Sequence, residues 1–437
     1  MVCMYNLAIV TLSGIFLPYL LLRLLIEEKH RIGLAQRLGF IPREVLRKRS
    51  GKPVIWIHSV SVGEVLAATP LIAEIRTQFP GYQLLLSTTT VTGHGVCLKR
   101  VAAPGDLVIY FPVDLPIVVR RVFSLFLPRL ILLMETEIWP GLIGEARQRG
   151  IHLLLVNGRL SDKSFRRYLK VRPFIRPLLQ SFSFIGMQTE QGRQRMLMLG
   201  ASADAVSVTR SMKYEAALSS VPSRAEVEGL RKELRIPEGR VLIAGSTHRG
   251  EEQLIARAYL ELRQKYPDLF LVIAPRHPER FQEAQDSLRQ KGIPFFLRSA
   301  GTGAPSDCHV MVLDTLGELT KFYALADVAF VGKSLTQRGG HNPLEPASCG
   351  KPVLFGPHMD NFREVAALLT SEGGAIEVRG FRDLVSALDH LLGHGEAAKE
   401  IGRRARRSVE SRTGGVDRTI FQVKVILMME ASTGFSR

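Results

Sequence analysis

The sequence predicts an α/β protein with two Rossmann-like halves behind an apolar N-terminal segment, and three observations carry that reading. After Gly51, short apolar runs alternate with helical stretches, the pattern of parallel strands joined by crossover helices. The alternation pauses over a polar segment at 219–239 and then restarts. No charge occurs from Leu7 to Leu22. A chain of 437 residues is too long for one ordinary core and fits two.

The N-terminal segment resumes after Arg23 with Leu24, Leu25 and Ile26, giving a stretch long enough to enter or cross a hydrocarbon layer of about 30 Å. No basic residue precedes the run and no small-x-small site follows it, which disfavours a cleaved signal peptide. A membrane anchor over residues 1–28 is the expectation. Lys29, His30, Arg31, Arg37, Arg43, Arg47, Lys48 and Arg49 follow, so the positive-inside rule puts the next domain on the cytoplasmic side, against anionic lipid. A solvated helix face would fit the same basic spacing; the adjoining apolar run favours the membrane.

In the N-terminal half, residues 29–218, the strands read PVIWI at 53–57, QLLLS at 83–87, LVIYF at 107–111, LILLM at 130–134 and HLLLV at 152–156, with VSVT at 206–209 strand-like. In the C-terminal half, residues 240–437, they read VLIAG at 241–245, LFLVIA at 269–274, VMVLD at 310–314, VAFVG at 328–332 and PVLFG at 352–356. The Ser, Pro, Glu and Lys content of 219–239 suits an inter-domain link. The last helix is a candidate to pack back on the N-terminal half. No short repeat is visible, which excludes a solenoid.

Lys and Arg total 58 against 41 Asp and Glu, a net charge of +17 that must face something anionic, whether phospholipid, phosphorylated substrate or nucleic acid. No recognised nucleic-acid motif or aromatic-interleaved basic stripe accompanies it, which argues against nucleic acid. Cys3, Cys97, Cys308 and Cys349 lie far apart without a CxxC pair, arguing against a disulfide framework or a zinc site and for a reduced, cytosol-facing protein.

Ligands of open α/β sheets bind beyond the carboxyl ends of the strands, so the residues just after each run are candidates. HSVSVGEVLAATPLI puts Glu64 at the start of a helix expected to bury Val65, Leu66, Leu71 and Ile72. As a general base Glu64 would accept a proton from an acceptor hydroxyl; as an ordinary first-turn acid it would complement the helix dipole. METEIWPG places Glu135 and Glu137 two apart after a strand, pointing the same way if the chain stays extended, with Trp139 and Pro140 as packing and turn residues. NGRLSDKSFRRY offers Asn157, Arg159, Ser161, Arg166 and Arg167 as donors for a carboxylate or phosphate, or else a helix capped by Ser161 or Asp162. Lys213 and Tyr214 follow VSVT.

In the second half, STHRGEE offers Ser246 and Thr247 as helix caps, with His248 and Arg249 beside N–H groups suited to a phosphate. No Walker loop occurs. PRHPER brings Arg276 and His277 to a strand end. In KSLTQRGGHNPLEPASCGKPVLFG, Gly339 and Gly340 allow close approach, Asn342 and Pro343 open a helix, and Glu345 sits in its first turn, a pattern suited to a nucleotide phosphate and ribose.

HSVSVGEV, METEIWP, NGRLSDKS, GSTHRGEE, PRHPER and GGHNPLEPA, in this order, resemble the Kdo (3-deoxy-D-manno-octulosonic acid) transferases of lipopolysaccharide synthesis, from the N-terminal segment to about Glu364. The resemblance implies a GT-B architecture, two Rossmann-like domains facing a cleft, at the cytoplasmic face of the inner membrane. It implies transfer of Kdo from CMP-Kdo to a lipid A precursor (lipid IVA), with inversion, release of CMP and no bound metal or cofactor. It puts Glu64 where the family's catalytic base stands, and Glu135 and Lys213 where the transition state is supported. Pro275, Arg276, Leu316, Gly317, Glu318, Asn342, Pro343, Leu344 and Glu345 match the family's CMP site. Two departures stand out: Arg210 and Ser211 replace the usual Gly-Asn, and Gly141 replaces the usual Asn. A transferase using a UDP-sugar is the rival enzyme; a basic membrane or nucleic-acid binding module would not need carboxylates at strand ends.

Overall fold

The computed structural model describes residues 32–432 except 302 and 306. The anchor expected over 1–28 lies outside the described residues, among which no helix is long and apolar enough to cross a membrane. The chain divides into two compact units, one of residues 32–216 with 413–432 and one of Ala217–Arg412.

The first unit holds seven strands: β1 (Val54–Ser59), β2 (Gln83–Thr88), β3 (Leu107–Tyr110), β4 (Pro128–Met134), β5 (His152–Gly158), β6 (Phe184–Met187) and β7 (Val206–Val208). They form one parallel sheet in the order β3-β2-β1-β4-β5-β6-β7. Successive residues serve opposite faces: Val54 and Trp56 enter one core, Ile55 and Ile57 the other. Burial on both faces is why these strands read as unbroken apolar runs rather than alternating ones. The helix Val62–Gln78 buries Val65, Ala68, Leu71, Ile72 and Ile75, whereas Leu66, expected inside, faces solvent.

The second unit repeats the plan with β8 (Val241–Thr247), β9 (Phe270–Pro275), β10 (Phe296–Leu297), β11 (Val310–Val312), β12 (Val328–Val331), β13 (Val353–Phe355) and β14 (Ala375–Glu377). Its parallel sheet runs β10-β11-β9-β8-β12-β13-β14. Leu242 and Ala244 face one core, Val241 and Ile243 the other. In both sheets the strand order reverses beside the first strand, between β1 and β4 and between β8 and β12. Such switch points open a crevice at the carboxyl edge.

The stretch 219–239, read from sequence as a link, is largely structured. A capping box between Ser223 and Glu226 starts the helix Arg224–Glu233, and Leu230, Leu234 and Ile236 are buried in the second unit. The polar composition belongs to the helix's outer face, which is why it looked like linker. The C-terminal helix Gly415–Ser432 belongs to the first unit, where Val416, Ile420, Val423, Ile426 and Leu427 join a core at helical spacing. The Glu215 carboxylate accepts from Gly414 and Val416 N–H at 2.8 and 3.2 Å, and from Gly415 at 2.5 Å, capping that helix.

Candidate active site

Glu64 stands at the third position of the helix after β1, capped by Ser61. Its Oε2 accepts from Val60 N–H at 2.8 Å and its Oε1 from the Ser61 hydroxyl at 3.1 Å. Burial pushes its pKa up to about 7; the Val60 N–H opposes this, and the charges of Glu135 and Glu137 add to it. A carboxylate fixed by two donors and poised near neutrality can take a proton.

Glu135 follows β4, across the switch point, with a left-handed backbone (φ 56°) that its N–H bond to the Val156 carbonyl helps hold. The chain is therefore not extended at Glu135, and the charges of both Glu135 and Glu137 bear on Glu64. Glu135 Oε1 lies 3.6 Å from Lys213 Nζ. Glu137 instead accepts from the Trp139 indole at 2.8 Å, and burial raises its pKa. Trp139 packs against Phe111, and Pro140 opens the helix Pro140–Gln148. Behind this edge His58 is fully buried, stacked 3.8 Å from Phe111, and driven down to about 3 by burial, so it stays neutral.

The two departures from the family pattern have local consequences. Arg210 sits at φ 73°, a conformation glycine accepts without strain, and its guanidinium donates to the Thr413 carbonyl. A Cβ at Gly141 would stand 2.7 Å from Asp114 Oδ1, because Asp114 caps this helix through Gly141 and Leu142 N–H. In NGRLSDKS, Ser161 caps the helix Asp162–Lys170, Arg166 and Arg167 are exposed, and Asn157 is buried at φ 54°, accepting from Met212 N–H.

At the second switch point the chemistry is basic. Ser246 and Thr247 do not cap the next helix: β8 continues through them, and Gly250 at φ 90° starts the helix Glu251–Arg263. His248 Nε2 meets His341 Nε2 at 3.0 Å, and the ring of His277 stands edge-on to His248. One imidazole donates and the other accepts, so the acceptor is neutral. Burial, reinforced by nearby cations, lowers His248 to about 4 and His341 to about 3. Among the described residues no group of three or more potential ligands forms a metal site. Arg276 is exposed at the end of β9, and its guanidinium has no hydrogen bond or ion pair among the described residues. Arg280 pairs with buried Glu252 at 2.9 Å.

Of the nine residues expected to meet CMP, one ends a strand of this sheet and the other eight follow strands. Pro275 ends β9, buried. Leu316 is 64% exposed, Gly317 turns at φ 89°, and Glu318 is held below the usual carboxylate range by Thr315 and by Arg298, whose guanidinium donates to it at 3.1 Å. Asn342 and Pro343 open a helix of one turn, Leu344–Ser348: Pro343 is its N-cap, and its first N–H donates to Asn342 Oδ1. That N–H is therefore already occupied by a protein side chain. Glu345 accepts from Asn342 and Thr320 at 3.3 Å, and burial raises its pKa.

Comparison with known proteins decides the family. Residues 33–216 match the family model of the 3-deoxy-D-manno-octulosonic-acid transferases (kdotransferase). A 3-deoxy-D-manno-octulosonic acid transferase of Haemophilus influenzae is 34% identical over 405 residues, 92% of this chain and 93% of its own. The chain belongs to the Kdo transferases. It is thus a glycosyltransferase. The Bordetella pertussis transferase is also 34% identical, over 84% of this chain and 86% of its own. The fold is shared more widely: a putative UDP-N-acetylglucosamine 2-epimerase from Listeria monocytogenes superposes with a TM-score of 0.58 at 14% identity, over 86% of this chain and 97% of that one. Two parallel α/β sheets in a GT-B-like arrangement of elements are therefore common to proteins of different chemistry.

Sequence reasoning did not single out three residues of this Kdo transferase's basic edge: Glu251, Lys333 and His341. Lys333 follows a strand end by the same rule that found Glu64, so the signal was present in the sequence.

Proposed function

We propose that this Kdo transferase moves Kdo from CMP-Kdo to a lipid A precursor, lipid IVA, with inversion, at the cytoplasmic face of the inner membrane. The observation that carries the mechanism is Glu64: a buried carboxylate held by two donors at a switch point, with its pKa raised to about 7. In this reading Glu64 takes the proton of an acceptor hydroxyl as its oxygen bonds to C2 of Kdo. Lys213, paired with Glu135, supports the charge that develops. Arg276 binds the CMP moiety with Pro275, Leu316, Gly317, Glu318 and the segment Asn342 to Glu345. The chemistry calls on no metal or other cofactor, and residues 1–28 with the net charge of +17 supply the contact with anionic membrane.

The test is mass spectrometry of products from purified full-length protein, CMP-Kdo and tetraacylated lipid A precursor, with chelator present and absent, followed by NMR of the anomeric centre. A product heavier by one or more Kdo units, unchanged by chelator and inverted at C2, is expected. Turnover of a UDP-sugar instead, with inhibition by UDP but not CMP, would favour the rival reading.

A further inference from the structure

The loop after β12 has an unusual construction. Lys333 sits at φ 57°, in the left-handed region that a side chain occupies only at a cost. Its N–H and those of Ser334 and Leu335 all turn onto one side chain, Glu251, at 2.7, 3.0 and 3.0 Å. Glu251, fully buried, also accepts from His248 N–H at 2.9 Å. It thereby ties the end of β8 to the end of β12 across the switch point. Successive N–H groups around a left-handed residue make a nest that elsewhere holds a phosphate. Here a carboxylate fills the nest from within the protein. These four amides are already spent on Glu251, so an anion beside the nest draws on side chains instead.

Lys333 is the side chain so placed. Its ammonium makes no ion pair among the described residues, although it stands near His248 and His341. Its stem runs over Gly339, where a Cβ would come within 3.2 Å of Cε, and its carbonyl is fixed by Gly340 N–H at 2.7 Å. A lysine kept only for solubility needs neither a strained backbone, nor a buried carboxylate beneath it, nor a bare glycine alongside.

We propose that Lys333 binds the phosphate of the departing nucleotide and that Glu251 is the positioning residue that holds Lys333 in place. This rests on the donor reading above. As the acceptor oxygen bonds to C2 and its proton passes to Glu64, the bond from C2 to the phosphate oxygen breaks. Its electron pair stays on that oxygen, turning a phosphodiester monoanion into a monoester dianion. Lys333 meets the added charge, and the His248–His341 pair, neutral, lies beside it without competing for it.

Calorimetry on the full-length protein with CMP and with cytidine isolates the phosphate. The unchanged protein is expected to bind CMP more tightly than cytidine. Lys333→Met should lose at least tenfold in CMP affinity with cytidine affinity unaltered, and Lys333→Arg should keep most of it. Lys333→Gly should show the same loss while melting no lower than the unchanged protein, since glycine relieves the backbone. With CMP-Kdo, Lys333→Met should lower kcat at least tenfold, more than it raises KM. Glu251→Gln should cut the CMP-to-cytidine ratio at least fivefold, and adding Lys333→Met to it should cost less than a further twofold; if Glu251→Gln does not fold, the Lys333 variants decide alone. A ratio within twofold of the original in Lys333→Met, or equal losses for CMP and cytidine, would overturn the inference. Failure of the unchanged protein to bind CMP would overturn the donor reading itself.

Discussion

Glu64 and Glu251 occupy the same topological address, the first turn of the helix after the first strand of a seven-stranded parallel sheet. Across the switch point from each stands a left-handed residue, the acid Glu135 at φ 56° in the first unit and the base Lys333 at φ 57° in the second. Their environments diverge. Glu64 receives two hydrogen bonds and is pushed to a pKa of about 7 beside two more acids, while Glu251 is saturated by four backbone N–H groups. One address therefore holds a carboxylate raised toward neutrality in the first unit and one locked onto backbone amides in the second. The topology decides where chemistry can sit, and the local donors decide what kind.

Removing the carboxylate on the acidic side is the strongest way to break this contrast. Glu64→Gln is expected to lower kcat about 10³-fold in a Kdo-transfer assay, the range of a lost general base. The unchanged enzyme's kcat/KM should rise with pH, about tenfold per unit below 7, and level off above it. Stability should move the other way. A carboxyl raised from 4.5 to about 7 holds its proton more tightly folded than unfolded, so its contribution is full below pH 4.5 and is lost as pH rises through 7. Glu64→Gln should accordingly gain stability relative to the unchanged protein between pH 5 and 8 in denaturant titrations. A flat difference across that range would show Glu64 to be an ordinary first-turn acid.

On the basic side, Arg280→Leu strands a buried Glu252 and should destabilise the second unit by about 3 kcal/mol in the same titrations. Arg276→Met, at an exposed position without a partner among the described residues, should leave stability within about 0.5 kcal/mol and weaken CMP binding. Equal stability losses would mean that the basic edge is scaffold throughout. Returning to the acidic edge, Lys213→Met should lower kcat about 100-fold with little change in CMP affinity, measured by transfer kinetics and calorimetry. A further effect, on stability, concerns the helix behind it. Gly141→Ala forces a Cβ against Asp114 and should cost about 1–2 kcal/mol of thermal stability, leaving the pH profile in place.

Eleven of the strands were legible because burial on both faces writes them as apolar runs, as in PVIWI and VLIAG. The three that were not, Phe184–Met187, Phe296–Leu297 and Ala375–Glu377, lack an unbroken apolar run of useful length: Gly186 interrupts the first, the second has two residues, and the third ends in an acid. Helix starts were less readable than strands. Thr247 looked like a cap but continues a strand, and the segment 219–239 looked like a linker because its apolar residues, Leu230, Leu234 and Ile236, are sparse.

By itself the sequence determined that this is a two-unit α/β Kdo transferase and that Glu64 ends up beyond a strand, because period, burial and motif order are local properties of the chain. Tertiary structure alone decided that Glu135 pairs with Lys213 while Glu137 accepts from Trp139, that Arg280 is bound to Glu252 while Arg276 is not, and that Glu251 gathers the amides of a loop some eighty residues away. Each of those facts depends on a φ angle or on a partner brought in by the parallel crossover. A one-dimensional pattern records neither.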